Sequence, residues 1–273
     1  MCNHHICVVI AVYNRSDNVR MALHSWRWQT CQDFSIVVAD DGSDEDILAL
    51  AKQYNCQYYR QRYGNVAVML NKGTALAPEQ TTHVWYTDGD IIFNPLAVEK
   101  AYEHIEEYPE RVITGRYDWL PAMRILPIHD WDRILHCQLP RLGMETGMGG
   151  WEQSGLLRNV DHRLRDDPHY FEHKLLDNCR SLLGSNVIIP LDAWFEVGGW
   201  DEHIPGSNAN DCDFGWDLTD AGYEMLTCEC TLGLHQYHPR DGGALSEGVK
   251  KALPYIYEKH GQEVPERWRP ANG

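Results

Sequence analysis

Short β-rich runs alternate with helical patterns through the first third of this chain, and this alternation limits the fold more than any other feature. Each β-rich run predicts a strand, of which Ile6–Val12 is nearly continuously apolar, and the intervening segments predict helices. Because strands that alternate with helices are joined by right-handed crossovers, the pattern predicts an α/β fold with a mostly parallel central sheet flanked by helices. The predicted strands are Ile6–Val12, Phe34–Ala39, Gln57–Arg60 and Thr82–Tyr86, and the predicted helices are Ser16–Gln29, Asp44–Tyr54 and Val66–Ala77.

The second half of the chain is less regular. Residues 116–167 mix proline, glycine, tryptophan and histidine without a period, which predicts long loops. A helical pattern follows at Pro168–Leu183, then a strand at Val187–Pro190 and a helix at Asp211–Ala221. Residues 262–273 form a polar tail. We therefore expect the ligand site at the carboxyl ends of the first-half strands, where ligands bind in parallel sheets.

Composition restricts the partners of this protein. The chain has 273 residues and a formal net charge of −16, which disfavours nucleic acid as a partner. No apolar stretch is long enough for a transmembrane segment, and the start has no signal-peptide pattern.

The nine cysteines are odd in number and irregularly spaced. This spacing predicts buried thiols, at Cys228 and Cys230 among others, and a cytoplasmic location.

Two carboxylates flank a glycine directly after the strand that ends at Tyr86. Asp88 and Asp90 can converge on one divalent cation, and their hard oxygen ligands suit Mg²⁺ or Mn²⁺, which bridge phosphates. The alternative is a solvated acidic turn. The apolar segment that follows Asp90 argues against full exposure.

Polar residues also follow the first two strands. At the end of the second strand, Asp40 and Asp41 can accept hydrogen bonds from a nucleobase N–H or from ribose hydroxyls, or the segment can be a helix-capping turn. Tyr13 ends the first strand, where its ring can stack on a base or can simply pack against the protein.

Several motifs occur together in one order, and as a set they resemble the GT-A glycosyltransferases, in particular glycosyltransferase family 2. The resemblance spans about residues 6–240. Its first-half motifs are Val8–Asn14, Ser25–Asp33, Val38–Ser43, Asn71–Gly73 and Thr87–Asp90, and its second-half motifs are Gly184–Asn186, Val197–Glu202 and Asn210–Leu218.

The resemblance implies a single GT-A domain over residues 1–261, with a nucleotide-sugar half to about residue 115 and an acceptor half from residue 116. It implies transfer of a sugar from a nucleoside diphosphate donor, most often a UDP-sugar, to a carbohydrate or other hydroxyl acceptor, with Mn²⁺ or Mg²⁺ as cofactor. By motif position, the implied metal ligands are Asp88, Asp90 and His235, with His238 the second choice after His235. The implied donor-binding residues are Ala11, Tyr13, Arg15, Asp40, Asp41, Lys72, Asp88 and Gly89.

The resemblance further implies an inverting mechanism in which Asp211 is the general base. Asp211 opens a predicted helix, whose unpaired N–H groups stabilise a carboxylate anion. Asp213 is the nearest alternative. The chain departs from the family pattern where Asn210 replaces the usual Glu and Leu70 replaces the usual Arg, so phosphate contacts are expected from Lys72 or Arg62.

Two other functions stay open on the sequence. The missing Glu at position 210 is compatible with an inactive nucleotide- or sugar-binding module. His169 and His173 match the inverted zinc-peptidase pattern H-x-x-E-H, which would make the protein a zinc-dependent hydrolase. The zinc interpretation leaves the other motifs unexplained and lacks a third ligand.

Overall fold

A computed structural model describes residues 4–119, 175–176, 182–207, 209–236, 238 and 247–265 of the chain. The strands are β1 (Ile6–Val12), β2 (Phe34–Asp40), β3 (Gln57–Arg60), β4 (His83–Asp88), β5 (Ile91–Phe93), β6 (Val112–Trp119), β7 (Leu175–Leu176), β8 (Asn186–Pro190) and β9 (Met225–His235). The helices are α1 (Ser16–Arg27), α2 (Ile47–Gln53), α3 (Val66–Thr74), α4 (Ala97–Glu107), α5 (Leu191–Val197), α6 (Asn210–Asp220) and α7 (Glu247–Lys259).

All these strands form one sheet of nine strands in the order β3-β2-β1-β4-β8-β6-β9-β5, with β7 paired to β9. The first four strands are parallel to one another. β8 is antiparallel to both β4 and β6, and β9 is parallel to β6. As a result β1–β4, β6 and β9 run in the same direction, and the predicted mostly parallel α/β fold is confirmed.

The core lies on both faces of the sheet, which explains why β1 is a continuous apolar run. Val8 and Ile10 face a cluster that contains Trp26 of α1, whereas Cys7 and Val9 face the opposite cluster. On the first face Trp26 packs edge-on against Trp85 at a centroid distance of 5.1 Å. The second face holds α3 and α6. Both halves of the chain therefore contribute to one continuous core.

Elements with a strong local pattern are found where the sequence predicts them. β1 and β3 have the predicted limits, and the predicted ends of α1, β2, α2, α3, β4, β8 and α6 differ by a few residues. The patterns do not predict α4, α5, β9 or α7. The helix predicted at Pro168–Leu183 is wrong at Leu175 and Leu176, which pair as a short strand with Met225 and Leu226 of β9. An apolar leucine pair suits either structure, and sheet pairing decides between them.

The structure also bears on the sequence predictions of membrane-spanning segments, of buried thiols and of the loop that begins at residue 116. None of the helices within the described ranges has the length and apolar character needed to cross a membrane. Cys228 is fully buried, but it is disulfide-bonded, so the prediction of a thiol at this position is wrong. β6 also continues to Trp119, into the segment predicted to be loop.

Candidate active site

A cavity of about 560 Å³ opens at the carboxyl ends of β1, β2 and β4, as the parallel sheet predicts. This volume is in the range of small-molecule sites. The first-half residues lining it are Ala11, Val12, Tyr13, Asn14, Arg15, Val19, Asp41, Arg62, Gly64, Asn65, Val66, Met69, Asp88, Gly89 and Asp90, and the second-half ones are Gly206, Ser207, His235 and His238.

One carboxylate and two imidazoles meet on a wall of this cavity. Asp90 Oδ2 lies 3.2 Å from His238 Nε2, and Asp90 Oδ1 lies 3.6 Å from His235 Nε2. The three side chains have ligand atoms within 4.8 Å of one another, and Asp90 and His235 are both buried. Within the described part of the chain, buried Asp90 Oδ1 accepts no hydrogen bond. This donor set and the unsatisfied buried oxygen fit a divalent cation.

Sheet pairing brings the carboxylate and the imidazoles together. Ile91 of β5 pairs with His235 at the end of β9, and the Gln236 N–H donates to the Asp90 carbonyl at 2.9 Å. His235 Nδ1 lies 2.9 Å from the Gln236 carbonyl oxygen. A carbonyl can only accept, so Nδ1 carries a proton and Nε2 is the ring nitrogen that faces Asp90. Such a backbone contact orients metal-binding histidines in general.

Gly89 lets the two aspartates approach the end of β1. A Cβ atom added at position 89 would lie 3.0 Å from Val12 Cγ2 and 3.1 Å from Val19 Cγ2. A larger residue would therefore push the β4–β5 turn away from β1 and α1. This close approach explains why a glycine separates Asp88 from Asp90.

Asp88 and Asp90 differ in their electrostatic surroundings. Burial, together with the carboxylates of Asp90 and Asp211, raises the pKa of Asp88 to about 7, against the opposing effect of Arg15. Burial also tends to raise the pKa of Asp90. The hydrogen bond with His238 and the charges of His235 and Arg15 outweigh this effect, so the pKa of Asp90 is lowered. A cation in this cluster would favour the ionised form of both carboxylates.

Arg15 is held at the site by an unusual backbone conformation. Asn14 and Arg15 have φ values of 55° and 60°, in the left-handed region that non-glycine residues rarely adopt. Glu45 stabilises this turn, because its carboxylate accepts hydrogen bonds from the N–H groups of Arg15 (2.9 Å) and Ser16 (2.6 Å). The Arg15 guanidinium then lies 3.3 Å from Asp90 Oδ2. A strained turn thus positions a cation beside the carboxylate cluster.

The two aspartates at the end of β2 have different environments. Asp41 lines the cavity, and its Oδ1 accepts the N–H groups of Tyr63 (2.5 Å) and Gly64 (3.0 Å). Asp40 is fully buried behind it and does not line the cavity. Its carboxylate accepts from the Ser43 hydroxyl (2.6 Å) and the Tyr58 hydroxyl (2.5 Å), so it braces the loop that follows β2.

Of the remaining predicted donor-binding residues, Ala11, Tyr13 and Gly89 line the cavity, whereas Lys72 does not. Lys72 is exposed in the last turn of α3. Arg62, its alternative in the sequence, lines the cavity, with Nη2 3.5 Å from the Tyr13 hydroxyl. Glu45 was missed by sequence reasoning because it contributes through backbone contacts that no local motif records.

Asp211 lies in the first turn of α6, where its Oδ1 accepts the Cys212 N–H at 2.9 Å. It does not line the cavity itself, but its charge acts on Asp88. Asp213, its alternative, is fully buried and lies 2.8 Å from Lys259 Nζ and 3.0 Å from His260 Nε2. His169 and His173 lie outside the described residues, so the structure does not bear on the zinc-hydrolase alternative.

The fold and the cavity define an α/β domain with a small-molecule-sized cavity at its strand ends, and comparison with known proteins identifies its relatives. Residues 7–137 match the model of the family described as Glycosyl transferase family 2. The chain is similar to the chondroitin synthase of Escherichia coli, with 22% identity over 93% of this chain and 39% of that protein. It is also similar to the hyaluronan synthase of Pasteurella multocida, with 21% identity over 93% of this chain and 28% of that protein. The chain thus spans well under half the length of these curated relatives.

Solved structures share the fold. S. aureus TarS 1–349 in complex with UDP-GlcNAc has a TM-score of 0.65 at 14% identity, over 93% of this chain and 66% of that one. GalNAc-T7 with UDP, GalNAc and Mn²⁺ has a TM-score of 0.65 at 17% identity, over 93% of this chain and 48% of that one. The family match covers just under half of the chain, which is therefore similar to family 2 glycosyltransferases and has the GT-A fold of the solved structures.

Proposed function

We propose that this domain, which we place at residues 1–261, transfers a sugar from a UDP-sugar to the hydroxyl group of an acceptor, with a divalent metal ion as cofactor. The observation that carries the proposal is the cluster of Asp90, His235 and His238 on the wall of a cavity at the strand ends. The structures of TarS 1–349 in complex with UDP-GlcNAc and of GalNAc-T7 with UDP, GalNAc and Mn²⁺ support the same donor class and cofactor.

The metal would be held by Asp90, His235 and His238, with Asp88 beside them. A bound cation supplies positive charge that stabilises the departing diphosphate. Imidazole nitrogens bind transition metals better than they bind Mg²⁺, which prefers oxygen ligands, so we place Mn²⁺ ahead of Mg²⁺. Arg15 adds a guanidinium that can pair with a phosphate when it leaves Asp90 Oδ2. Arg62 is the second basic residue of the cavity wall.

The nucleobase would bind at the opposite end of the site, between Tyr13 and Asp41. Tyr13 is 48% exposed, which leaves its ring face available for stacking. Within the described residues, Asp41 Oδ2 accepts no hydrogen bond and can accept the uracil N3–H. Asp40 supports this end of the site from behind through Ser43, whose hydroxyl also accepts the Asn14 N–H at 2.7 Å.

Asp211 would act as the general base in one in-line displacement with inversion. Its carboxylate takes the proton of the acceptor hydroxyl while the acceptor oxygen bonds to the sugar C1 and the C1–O bond to the diphosphate breaks. Two observations support this role for Asp211 over Asp213. Asp211 is near enough to raise the pKa of Asp88, whereas Asp213 is held by an ion pair with Lys259 and lies 3.0 Å from His260 Nε2.

Calorimetry with nucleoside diphosphates tests the donor class. We expect UDP to bind in the presence of Mn²⁺ and binding to be lost in excess EDTA, and the uracil assignment predicts that GDP binds about tenfold more weakly. UDP release from UDP-glucose, UDP-GlcNAc and UDP-GalNAc then tests turnover, with or without added hydroxyl acceptors.

Each outcome of these measurements has a distinct meaning. Failure of UDP to bind with Mn²⁺, Mg²⁺ or Co²⁺ would contradict the proposed donor site. GDP binding as tightly as UDP would contradict the uracil assignment alone. Metal-dependent UDP binding without turnover of any donor would favour the inactive binding module, which Asn210 in place of the usual Glu suggests.

A further inference from the structure

A single ammonium group connects the last helix to the helix that carries Asp211. Lys259, at the end of α7, places Nζ 2.8 Å from Asp213 Oδ2 and 2.8 Å from Asp217 Oδ2, both on α6. The same Nζ lies 3.2 Å from Oδ2 of Asp201, in the loop before α6. The side chains of these aspartates are between 0% and 18% exposed. Lys259 is therefore the shared counter-ion of three largely buried carboxylates.

Neighbouring contacts strengthen this connection. His260 Nε2 lies 3.0 Å from Asp213 Oδ1, and its ring packs at a centroid distance of 5.0 Å from Trp216 of α6. Ile256 of α7 packs with Ile204 of the loop before α6. The helix α7 thus contacts the chain on both sides of Asp211.

Asp213, Asp217 and His260 could also hold a metal ion by ligand type and spacing. Lys259 Nζ already lies at hydrogen-bond distance from both of these carboxylates. Its positive charge satisfies the group and would repel a second cation, so the cluster is an ion-pair network within the protein.

The ion pairs matter for Asp211 because it lies two residues before Asp213 in the first turn of α6. Ala209 at the N-cap of this turn has φ 63° and provides no side-chain cap. Without Lys259, the buried carboxylates of Asp201, Asp213 and Asp217 would repel one another and draw in water. The turn that carries Asp211 would then move.

We propose that Lys259 is a positioning residue for the transfer reaction: by holding Asp201, Asp213 and Asp217 together, it fixes the first turn of α6 and so the carboxylate of Asp211. This inference rests on the proposed function of Asp211. A base displaced by about 1 Å can lose about 100-fold in rate, whereas Asp201, Asp213 and Asp217, the ion-pair partners of Lys259, are not among the described residues that line the donor cavity.

The test compares Lys259→Met, which keeps the length but removes the charge, with Lys259→Arg, which keeps the charge. Lys100→Met is the matched control, because Lys100 pairs only at the surface, with Glu103 of α4. For Lys259→Met we expect the Kd for UDP in Mn²⁺ to stay within about twofold and kcat for UDP release to fall about 10–100-fold. Lys259→Arg should recover most of kcat, and Lys100→Met should match wild type. Hydrogen exchange of the amides in residues 209–215 should accelerate in Lys259→Met alone.

The outcomes separate this inference from the proposed function. If wild type binds UDP and turns over, and Lys259→Met keeps full kcat, the positioning role is overturned. Equal losses of UDP affinity and kcat would also overturn it, because they indicate general loss of structure. If wild type neither binds nor releases UDP, the proposed function fails, and the positioning role falls with it. If Lys259→Met does not fold, the double variant Lys259→Met with Asp213→Asn removes the most deeply buried of the three carboxylate charges, and the same loss of kcat is expected.

Discussion

The side-chain amide of Asn71 bonds to both backbone groups of Trp200, a residue 129 positions further along the chain. Asn71 Nδ2 donates to the Trp200 carbonyl at 2.8 Å, and the Trp200 N–H donates to Asn71 Oδ1 at 2.9 Å. Gly199 makes this approach possible, since its φ is 80° and a Cβ there would lie 2.6 Å from Asn71 Oδ1. Two of the motifs that resemble family 2 are therefore parts of one contact between the halves of the domain.

Replacement of Asn71 by alanine should destabilise the protein by about 2 kcal/mol, because it leaves the Trp200 backbone groups and the Trp194 indole N–H without their partner. Urea unfolding measures this change. Lys72→Ala, at the exposed neighbouring position, is the control and should change the free energy of unfolding by less than about 0.5 kcal/mol. Equal changes in the free energy of unfolding for Asn71→Ala and Lys72→Ala would contradict a stabilising role for the hydrogen bonds between Asn71 and Trp200.

Substitutions of Asp90, His235 and His238 should weaken the effect of Mn²⁺ on UDP binding. Asp90→Asn should abolish turnover, and His235→Gln and His238→Gln should each weaken Mn²⁺-dependent UDP binding about 10–100-fold, as losses in a metal site commonly do. Calorimetry and electron paramagnetic resonance of Mn²⁺ measure these changes. Asp33→Asn removes a carboxylate that is 74% exposed and should leave binding unchanged. Normal Mn²⁺ affinity in both histidine variants would rule out imidazole ligands.

Asp211→Asn should lower kcat by about 10²–10⁴-fold while UDP binding stays normal, because the amide keeps the side-chain size but cannot accept the acceptor proton. Steady-state kinetics with separate UDP titrations measure both quantities. Loss of a structural contact in the first turn of α6 would instead cost about 1 kcal/mol of stability with little change in rate. An Asp211→Asn variant with a kcat within a few-fold of wild type would exclude Asp211 as the base.

Acid should weaken the fold partly through His83. Burial lowers the pKa of this histidine from 6.5 to about 4, although the hydrogen bond to the Pro109 carbonyl opposes the shift. His83 binds a proton below about pH 6.5 in the unfolded chain, but only below about pH 4 in the folded chain. The stability that a neutral His83 provides is thus present above pH 6.5 and is lost as the pH falls toward 4, by up to about 3 kcal/mol.

The variant His83→Gln isolates this contribution, since all other titrating groups are common to both proteins. We expect the difference in free energy of unfolding between wild type and His83→Gln to shrink as the pH is lowered from 7 toward 4. Urea titrations at low protein concentration are suitable, because the pI is near 5.2. A constant difference across this range would show that the His83 proton is not linked to folding.

The sequence predicts β1 and β4 well, and with them the end of the sheet where the cavity lies, because burial on both faces leaves a nearly continuous apolar run. β9 is not predicted, because its segment mixes Thr, Cys, Glu and Gly and becomes a strand through pairing with β5 and β6. The sequence also does not distinguish the roles of two adjacent carboxylates at the end of β2. Asp40 and Asp41 are adjacent in an extended segment, where successive side chains point to opposite sides, and the sequence does not tell which one faces the cavity.

The pairing of β5 with β9 has a consequence for how the site is assembled. The family model matches residues 7–137, a segment that contains Asp88 and Asp90 but neither His235 nor His238. Among the described strands, β5 pairs only with β9, so the strand after Asp90 stays an unpaired edge until residues near 235 arrive. A nascent chain therefore carries the recognisable motif well before it carries His235 and His238. On the proposed function, the donor site would be complete only once β9 pairs with β5.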